Sequence, residues 1–364
     1  MNGVHSATRR EFVVTAAAAG VAAAFGVTRV FAQRGPRATR NWAWMRGDVP
    51  PLDEWRRQLS AMKSAGIDAI LITGSPDFYQ RIIPPAKAEG IEVHAWFPTM
   101  MRGENAQAHP EWYVVSRDGA SAAIEPPYVP YYKFLCPSRD DVRQYLAGLV
   151  RELGAIDDLA SVHLDYIRYP DVILPIALWP KYNIIQDREY PPYDFCYCDV
   201  CRARFRKIAG SDPMQLAQPW ANREWLQYRH DTITEVVGVL AAEAHAAKKQ
   251  LTAAVFPTPS IARALVRQDW TKWKVDAVLP MIYNGFYKEE IAWVERATRE
   301  GVQALGGRIP LYSGLYVPDL SPADLAEAVR RAFAGGAAGI SLFQGNTLKP
   351  EHWEALAAVL RVRR

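Results

Sequence analysis

Short apolar runs alternate along this chain with longer segments in which apolar residues recur at helical spacing. Each of the eight runs is followed by a segment that its spacing predicts to be a helix. The predicted strands are 42–46, 67–74, 91–98, 159–169, 251–257, 276–284, 309–317 and 340–345. Eight strands alternating with eight helices predict an α/β fold of the (β/α)8 TIM-barrel type.

Local signals support two of the predicted helices. Ser138 is a candidate cap for the third, and Ser321 followed by Pro322 begins the seventh. The apolar face of the third helix comprises Val142, Leu146, Leu149, Val150 and Leu153. An open doubly wound sheet is the alternative fold. It would need a glycine-rich phosphate loop to favour it, and the sequence has neither a G-x-G-x-x-G motif nor a P-loop.

Two connections are much longer than the others. Residues 99–137 follow the third strand and residues 170–219 follow the fourth. Both leave the carboxyl ends of their strands, which form the face where such barrels place their active sites. Long ordered loops at this face usually serve a function or are fastened by something.

The four cysteines of the chain lie in these two loops. Cys136 is in the first loop, and Cys196, Cys198 and Cys201 form a C-x-C-x-x-C cluster in the second. Four thiolates suit a closed, tetrahedral zinc site, which leaves no open position for catalysis. The sequence therefore predicts structural zinc as the cofactor. Two disulfides are the alternative, since an exported protein can form them.

The amino-terminal residues predict export. Arg9 and Arg10 begin a twin-arginine pattern, an alanine-rich stretch follows at 14–27, and Ala32 ends a candidate cleavage motif. We therefore expect a signal peptide over residues 1–32, a barrel domain over residues 33–364, and a periplasmic or secreted protein. A transmembrane anchor is the alternative, although the run is short and weakly hydrophobic.

Charge argues against two kinds of partner. The net charge of +4 falls to +2 when residues 1–32 are removed, because they contain three arginines and one glutamate. Such a balance gives no electrostatic reason to expect nucleic acid or an anionic membrane surface as a partner.

The strand that ends near Pro170 carries the most informative chemistry. Asp165 shares a face with His163, because side chains alternate along a strand. A carboxylate within a strand is costly unless it is paired, hydrogen-bonded or catalytic. An ion pair between Asp165 and Arg168 is the structural interpretation, and a catalytic carboxylate at the barrel mouth is the functional one.

Several motifs resemble known families. Residues 134–138 with 196–205 resemble the zinc-binding loops of family 42 β-galactosidases, in which one cysteine follows strand three and three follow strand four. The run His163-Leu-Asp-Tyr-Ile-Arg-Tyr-Pro170 resembles the hallmark of bacterial glycosyl-hydrolase-like family 10 proteins, as does the stretch 266–283. These resemblances imply a TIM barrel, a zinc loop and activity on glycosidic bonds.

The catalytic pattern departs from family 42, which uses glutamates on strands four and seven. Here the fourth strand carries Asp165, and residues 311–316 contain no acid. Glycoside hydrolysis needs two carboxyl groups. As a nucleophile or oxocarbenium stabiliser, Asp165 should stay ionised, and nearby Arg168 would help to keep it charged. Asp269 is the predicted partner, with a helix N-cap as its alternative role. Asp171, Asp319 and Glu104 are further acids at the mouth, without distinguishing context.

Aromatic and polar residues at predicted strand ends suit a carbohydrate, because sugar rings present both apolar faces and hydroxyls. The predicted substrate-binding residues are Trp44, Arg46, His94, Trp96, His163, Tyr166, Arg168, Tyr283, Asn284, Tyr312, Tyr316 and Gln344. The sequence thus predicts an exported glycoside hydrolase that uses Asp165 on a poly- or oligosaccharide. A barrel that binds carbohydrate without cleaving it is the alternative.

Overall fold

The computed structural model describes residues 40–46 and 51–361. Its eight parallel strands confirm the predicted barrel. The strands are β1 (Trp42–Met45), β2 (Ala69–Ile72), β3 (Glu92–Pro98), β4 (Ser161–Asp165), β5 (Gln250–Val255), β6 (Ala277–Pro280), β7 (Tyr312–Tyr316) and β8 (Gly339–Phe343). The predicted signal peptide over residues 1–32 lies outside the described residues.

The strands follow each other around the barrel in the order β6-β5-β4-β3-β2-β1-β8-β7. Strands β6 and β7 meet through two single parallel bridges, Val278 with Leu311 and Met281 with Gly314. A Cβ atom at Gly314 would lie 2.6 Å from the carbonyl oxygen of Pro280. The near-closure of the barrel at this seam therefore depends on glycine, which lets the two backbones approach.

A helix follows every strand, and two additional helices, α4 and α5, lie in the connection after β4. The helices are α1 (Leu52–Ser64), α2 (Pro76–Ala88), α3 (Asp140–Gly154), α4 (Trp179–Tyr182), α5 (Asp199–Ala209), α6 (Arg223–Ala246), α7 (Pro259–Val266), α8 (Trp293–Leu305), α9 (Pro322–Ala334) and α10 (Pro350–Arg361). Within the described part of the chain, no helix has both the length and the apolar character to cross a bilayer.

One of the two predicted caps is confirmed. The Ser321 hydroxyl accepts a hydrogen bond from the backbone N–H of Asp324 at 3.2 Å, at the start of α9. The prediction for Ser138 was wrong, because α3 begins after Arg139. Ser138 is instead buried beside the cysteines, where its hydroxyl lies 2.8 Å from that of Tyr228. The Ser138 hydroxyl therefore bonds to Tyr228 in the loop and does not cap α3.

The apolar core has two layers. One lies between the sheet and the surrounding helices, and the other fills the barrel with Trp42, Trp44, Leu71, Leu279 and their neighbours. These interior side chains come from alternate positions of each strand, as the period of two requires. The barrel interior is therefore packed with side chains, and the cavity described below lies above this packing.

The two long connections extend from Thr99 to Arg139 and from Tyr166 to Asn222. They pair with each other through a bridge between Ser116 and Phe195, and through a hydrogen bond of 2.8 Å from Tyr197 N–H to the carbonyl oxygen of Val115. The loops after β3 and β4 thus form one layer beside the barrel mouth.

Candidate active site

A cavity of about 250 Å³ lies where the carboxyl ends of the strands meet the two long loops. Aromatic side chains provide most of its wall. They are Trp44, Trp96, Tyr128, Tyr132, Tyr166, Tyr182, Phe256, Tyr283, Phe286, Tyr287, Tyr316 and Phe343. Among the described residues that line this cavity, the charged ones are Asp165, Arg168 and Asp171. Such a mostly apolar cleft with a few convergent polar groups is typical of a small-molecule site.

Asp165, the last residue of β4, lies in the cavity wall with 8% of its surface exposed. Its Oδ2 accepts a hydrogen bond from the indole N–H of Trp96 at 2.8 Å, and its Oδ1 accepts one from the backbone N–H of Tyr166 at 2.7 Å. Burial raises the pKa of Asp165, although the two hydrogen bonds and the charge of Arg168 act in the opposite direction. Asp165 therefore holds its proton to a higher pH than a solvated aspartate does.

The ion pair expected between Asp165 and Arg168 does not form. Arg168 Nη1 donates instead to Asp171 Oδ2 at 2.8 Å, and Arg168 Nη2 donates to the Tyr132 hydroxyl at 3.0 Å. The reason is the backbone at Tyr166, whose φ of 49° ends the strand geometry immediately after Asp165. Asp165 therefore faces the cavity without a directly bound cation.

Aromatic rings surround the guanidinium of Arg168. Its central carbon lies 5.2 Å from the ring centroid of Phe256, 5.3 Å from those of Phe134 and Tyr166, and 5.8 Å from that of Tyr132. Contacts between a cation and ring faces at this distance are attractive, more so away from water. Arg168 thus fixes the loop after β3 against the end of β4.

A second network holds the outer wall of the cavity. The Tyr128 hydroxyl donates to the backbone carbonyl of Asp171 at 2.7 Å, and Gln186 Nε2 donates to the Tyr128 oxygen at 2.7 Å. Gln186 Oε1 accepts from the backbone N–H of Leu174 at 2.8 Å. Residues 174–186 are therefore closed into a loop that is fastened to the neighbouring connection.

Asp269, the predicted second carboxylate, does not line this cavity. Its Oδ1 accepts from Arg263 Nη1 at 2.9 Å and from the Thr271 hydroxyl at 3.2 Å, and its Oδ2 lies 2.8 Å from Lys272 Nζ. It precedes a short 3₁₀ helix but makes no side-chain capping bond there. The structure therefore places Asp269 in a buried ion-pair cluster.

Half of the predicted substrate-binding residues line the cavity. These are Trp44, Trp96, Tyr166, Arg168, Tyr283 and Tyr316. Three of the others are elsewhere at the mouth: Arg46 lines a separate surface pocket, Asn284 Nδ2 donates to the carbonyl of Glu289, and the carbonyl of Gln344 accepts from Thr347. The remaining three, His94, His163 and Tyr312, are buried in the barrel below the cavity.

The sequence arguments missed several wall residues. Phe256, Met281 and Phe343 lie at inward positions within the predicted strands, so strand periodicity could have identified them. Asp171 was named among the acids at the mouth but was given no role, although its position three residues after Arg168 is typical of a local ion pair. Tyr128, Tyr132, Leu174 and Tyr182 come from the long loops, where no periodicity applies.

The four cysteines come together as predicted. All are buried and free, and their sulfur atoms lie within 4.8 Å of one another. The sulfur of Cys136 is 3.6 Å from that of Cys198, 3.5 Å from that of Cys201 and 3.8 Å from that of Cys196. Tetrahedral bonds of about 2.3 Å to zinc place thiolates about 3.8 Å apart, whereas a disulfide requires about 2.0 Å. The cluster could therefore bind a metal ion.

The thiols of the cluster differ in the direction in which the structure shifts their pKa. Burial raises the pKa of the Cys136 and Cys196 thiols. Hydrogen bonds from the other thiols, that of Cys136 foremost, lower the pKa of Cys198. Cys198 thus loses its proton more readily than a free thiol, and a bound cation would favour thiolates at the other positions.

Several solved structures with a similar barrel fold are glycoside hydrolases. It is similar to the PgaB (BpsB) glycoside hydrolase domain from Bordetella bronchiseptica, with a TM-score of 0.62 and 14% identity over 89% of this chain and 98% of that one. It is also similar to a β-galactosidase from Rahnella sp. R3, with a TM-score of 0.65 and 13% identity over 89% of this chain. The β-amylase catalytic domain from Paenibacillus polymyxa gives a TM-score of 0.59 and 12% identity, over 90% and 99% of the two chains.

These similarities have clear bounds. This chain spans 56% of the Rahnella β-galactosidase. Identities of 12–14% establish a shared barrel fold and not a shared activity. No family model and no curated protein sequence matches the chain. Membership in either of the families that the motifs resemble therefore stays a prediction.

Proposed function

We propose that this protein hydrolyses glycosidic bonds in a poly- or oligosaccharide, and that Asp165 is the proton donor. The observation that carries the proposal is the placement of Asp165, a buried carboxyl group at the end of β4 in the wall of an aromatic cavity. Barrels of this class place catalytic groups at the carboxyl ends of their strands. The glycoside hydrolases with the same fold make this chemistry the first one to test.

The environment of Asp165 suits a general acid. The sequence suggested an ionised nucleophile or stabiliser, kept charged by Arg168. In the structure Arg168 is bound to Asp171, and burial raises the pKa of Asp165. A carboxyl group in an apolar site that stays protonated can donate its proton to a leaving glycosidic oxygen.

Asp171 is the second carboxylate in this proposal. It lines the cavity together with Asp165, whereas Asp269 does not. Its Oδ2 is held by Arg168 Nη1 and by the Tyr132 hydroxyl at 3.0 Å, so a guanidinium compensates its negative charge. A fixed carboxylate on the cavity wall supplies the second group that hydrolysis requires.

Incubation of the purified protein, residues 33–364, with a panel of polysaccharides and oligosaccharides tests the activity directly. New reducing ends are quantified, and the products are sized by mass spectrometry. We expect cleavage of at least one glycan. Binding of a glycan without cleavage would favour the carbohydrate-binding barrel instead.

The pH dependence of hydrolysis tests the role of Asp165. A proton donor limits activity at high pH, where it loses its proton. Because the Trp96 N–H bond favours ionised Asp165, the Trp96→Phe variant should raise its pKa further. We expect the alkaline limb of kcat/KM against pH to move to higher pH. Trp44→Phe, which removes an indole that makes no hydrogen bond to Asp165, should leave the limb in place. A limb that moves to lower pH in Trp96→Phe would contradict this role.

Asp269 should matter for stability and not for turnover. Burial alone raises its pKa, but hydrogen bonds from Lys272 and Arg263 outweigh this and leave the pKa lowered. A lowered folded-state pKa stabilises above the unfolded pKa, and that stabilisation is lost as the pH falls. Asp269→Asn should therefore reduce the unfolding free energy by about 1 kcal/mol at pH 7, because both cations are partly exposed and can be hydrated. Denaturant melts at pH 7 and pH 3 measure this difference, which should shrink at pH 3. A large loss of kcat with unchanged stability would instead support Asp269 as the second catalytic carboxylate.

The same proposal includes zinc in the cysteine cluster and export by the twin-arginine route. The sulfur spacing supports zinc, held by Cys136, Cys196, Cys198 and Cys201. Four thiolates occupy all four coordination positions of a tetrahedral zinc ion, so zinc would hold the two loops together and take no part in hydrolysis. Export of an already folded protein is compatible with a metal that is bound before translocation.

A further inference from the structure

The tyrosine hydroxyls that line the cavity are of two kinds. Those of Tyr128 and Tyr132 are bonded within the protein, to groups of the connection after β4. Those of Tyr166, Tyr283 and Tyr287 make no hydrogen bond to any residue in the described part of the chain. A hydroxyl in a mostly apolar wall is costly to leave without a partner. These three hydroxyls are therefore candidates to bind a ligand in the cavity.

The three unpartnered hydroxyls belong to the carboxyl ends of β4 and β6. Tyr166 follows Asp165 directly, Tyr283 follows β6, and Tyr287 ends the 3₁₀ turn Asn284–Tyr287. Burial raises the pKa of all three, and the charge of Asp165 adds to this at Tyr166 and Tyr283. Each hydroxyl is thus neutral and can both donate and accept a hydrogen bond, as the hydroxyl of a sugar can.

The charged side chains of the cavity offer no free cation to an acidic sugar. Arg168 is the one cation among the described residues that line the cavity. Its Nη1 already donates to Asp171 Oδ2 at 2.8 Å and to the backbone carbonyl of Tyr169 at 3.0 Å. A carboxylate or sulfate on the sugar would therefore enter an apolar site beside Asp165 and Asp171 without a free partner, which is costly.

The place that would attract an ammonium group is also occupied. Aromatic ring faces attract cations, and the rings of Tyr132, Tyr166 and Phe256 could serve an amino sugar in this way. However, the central carbon of Arg168 already lies 5.2–5.8 Å from the centroids of these three rings. Both oxygens of Asp165 already accept N–H bonds. A second cation would be repelled by the guanidinium and would find no carboxylate oxygen without a bond in Asp165.

We propose that the cavity binds an uncharged sugar residue, and that Tyr166, Tyr283 and Tyr287 bind the hydroxyls of that sugar. This assignment rests on the proposed function and specifies its substrate class. The residue next to the cleaved bond is a neutral hexose, a pentose or an N-acetylated sugar, and it is not a uronic acid, a sulfated sugar or a free amino sugar. The ring faces of the wall contact its apolar C–H faces, and the tyrosine hydroxyls orient it.

Matched oligosaccharides test the class of sugar, with the Asp165→Asn variant used so that nothing is cleaved. A panel of cello-, manno-, galacto- and N-acetylchito-oligosaccharides is compared with the same oligosaccharides oxidised to uronates at C6, and the last also with its deacetylated amine. By calorimetry we expect at least one neutral oligosaccharide to bind, and its charged counterparts to bind at least about tenfold more weakly. Equal or tighter binding of a charged counterpart, or no binding of any neutral oligosaccharide, would overturn the assignment.

Tyrosine-to-phenylalanine variants test the hydroxyls. In the same background, Tyr166→Phe, Tyr283→Phe and Tyr287→Phe should each weaken binding of the tightest neutral oligosaccharide of the panel by about three- to tenfold. Their Tm should not fall, because the hydroxyl that is removed has no partner among the described residues. Tyr79→Phe is the control: its hydroxyl donates to the carbonyl of Ile72 at 2.8 Å, away from the cavity, so its loss should lower Tm and leave affinity unchanged. Unchanged affinity in all three cavity variants, or a fall in their Tm like that of Tyr79→Phe, would contradict the binding role.

Binding and cleavage can fail separately, so these measurements distinguish this assignment from the proposed function. If neutral oligosaccharides bind with the expected effects of the three tyrosines but wild-type protein cleaves none of them, the hydrolase proposal fails and the assignment of the cavity stands. If wild-type protein cleaves glycans but the charged members of the panel bind best, the assignment fails and the hydrolase proposal stands.

Discussion

Replacing Asp165 with asparagine should lower hydrolysis by about 10²–10⁴-fold while the protein still folds and binds its glycan. Asparagine has nearly the same size but carries no acidic proton, and burial raises the pKa of Asp165 in the direction that a proton donor requires. Its single carbonyl can still accept one of the N–H bonds now made by Trp96 and Tyr166. The measurement is kcat on the cleaved glycan, together with glycan affinity and the melting temperature.

A matched control is available at the same end of the barrel. Asp319 is an exposed acid after β7 that does not line the cavity. Asp319→Asn should retain activity within about twofold, since surface substitutions away from a site have small effects. If Asp165→Asn retains wild-type kcat, Asp165 is not the proton donor. Losses of the same size in both variants would point to a general effect of removing charge at the mouth.

Loss of the metal should have the largest effect on stability. Zinc contributes roughly 10–16 kcal/mol of binding energy in small zinc domains, and this energy is coupled to folding. If the loss of one thiolate removes about one third of this binding energy, and each kcal/mol lowers Tm by about 2–4 °C, Cys198→Ser should lower Tm by about 10 °C. Elemental analysis should find about one zinc per wild-type chain and much less in the variant.

Asp199 offers the control for the cysteine substitution. It follows Cys198 at the start of α5, and its largely exposed side chain pairs with Arg139 at 2.7 Å without touching the sulfur atoms. Asp199→Asn should keep its zinc and change Tm by only a few degrees. Two disulfides and no metal in the wild-type protein would contradict the zinc assignment, and mass spectrometry under non-reducing conditions detects them.

The barrel and the cysteine cluster were predictable because each depends on a regular pattern. Alternating strand and helix periodicity specifies a (β/α)8 barrel, and the spacing of Cys196, Cys198 and Cys201 is sufficient to suggest a shared site with Cys136. Asp165 and its neighbours Trp44 and Trp96 were found for the same reason, since strand alternation carries inward positions to the barrel mouth.

The proposed partner of Asp165 is Asp171, which the sequence analysis named among the acids at the mouth but could not single out in this way. Asp171 lies in an irregular loop, and its position depends on the turn at Tyr166 and on the rings around Arg168, neither of which has a sequence period. Asp269 follows α7 and was a reasonable candidate by topology. However, Arg263, six residues earlier, and Lys272, three residues later, draw its carboxylate into a local cluster. Local ion pairs decided its role, and the sequence pattern did not reveal their geometry.

The two histidines show a different limit of sequence reasoning. His94 and His163 occupy inward positions, as a binding role requires, yet both lie below the cavity in the barrel interior. Strand alternation specifies the face that a side chain points to, but not its depth along the barrel axis. That depth depends on the register between neighbouring strands, in which His94 is paired with Ser161.

A crystal structure of the Asp165→Asn variant with an uncleaved oligosaccharide tests the central claim most directly. The account predicts that a sugar lies against the aromatic wall of the cavity, with its glycosidic oxygen about 3 Å from the side chain of residue 165 and with Asp171 facing the same bond. A glycan bound elsewhere, or bound in the cavity with every glycosidic oxygen beyond hydrogen-bond reach of residue 165, would contradict it.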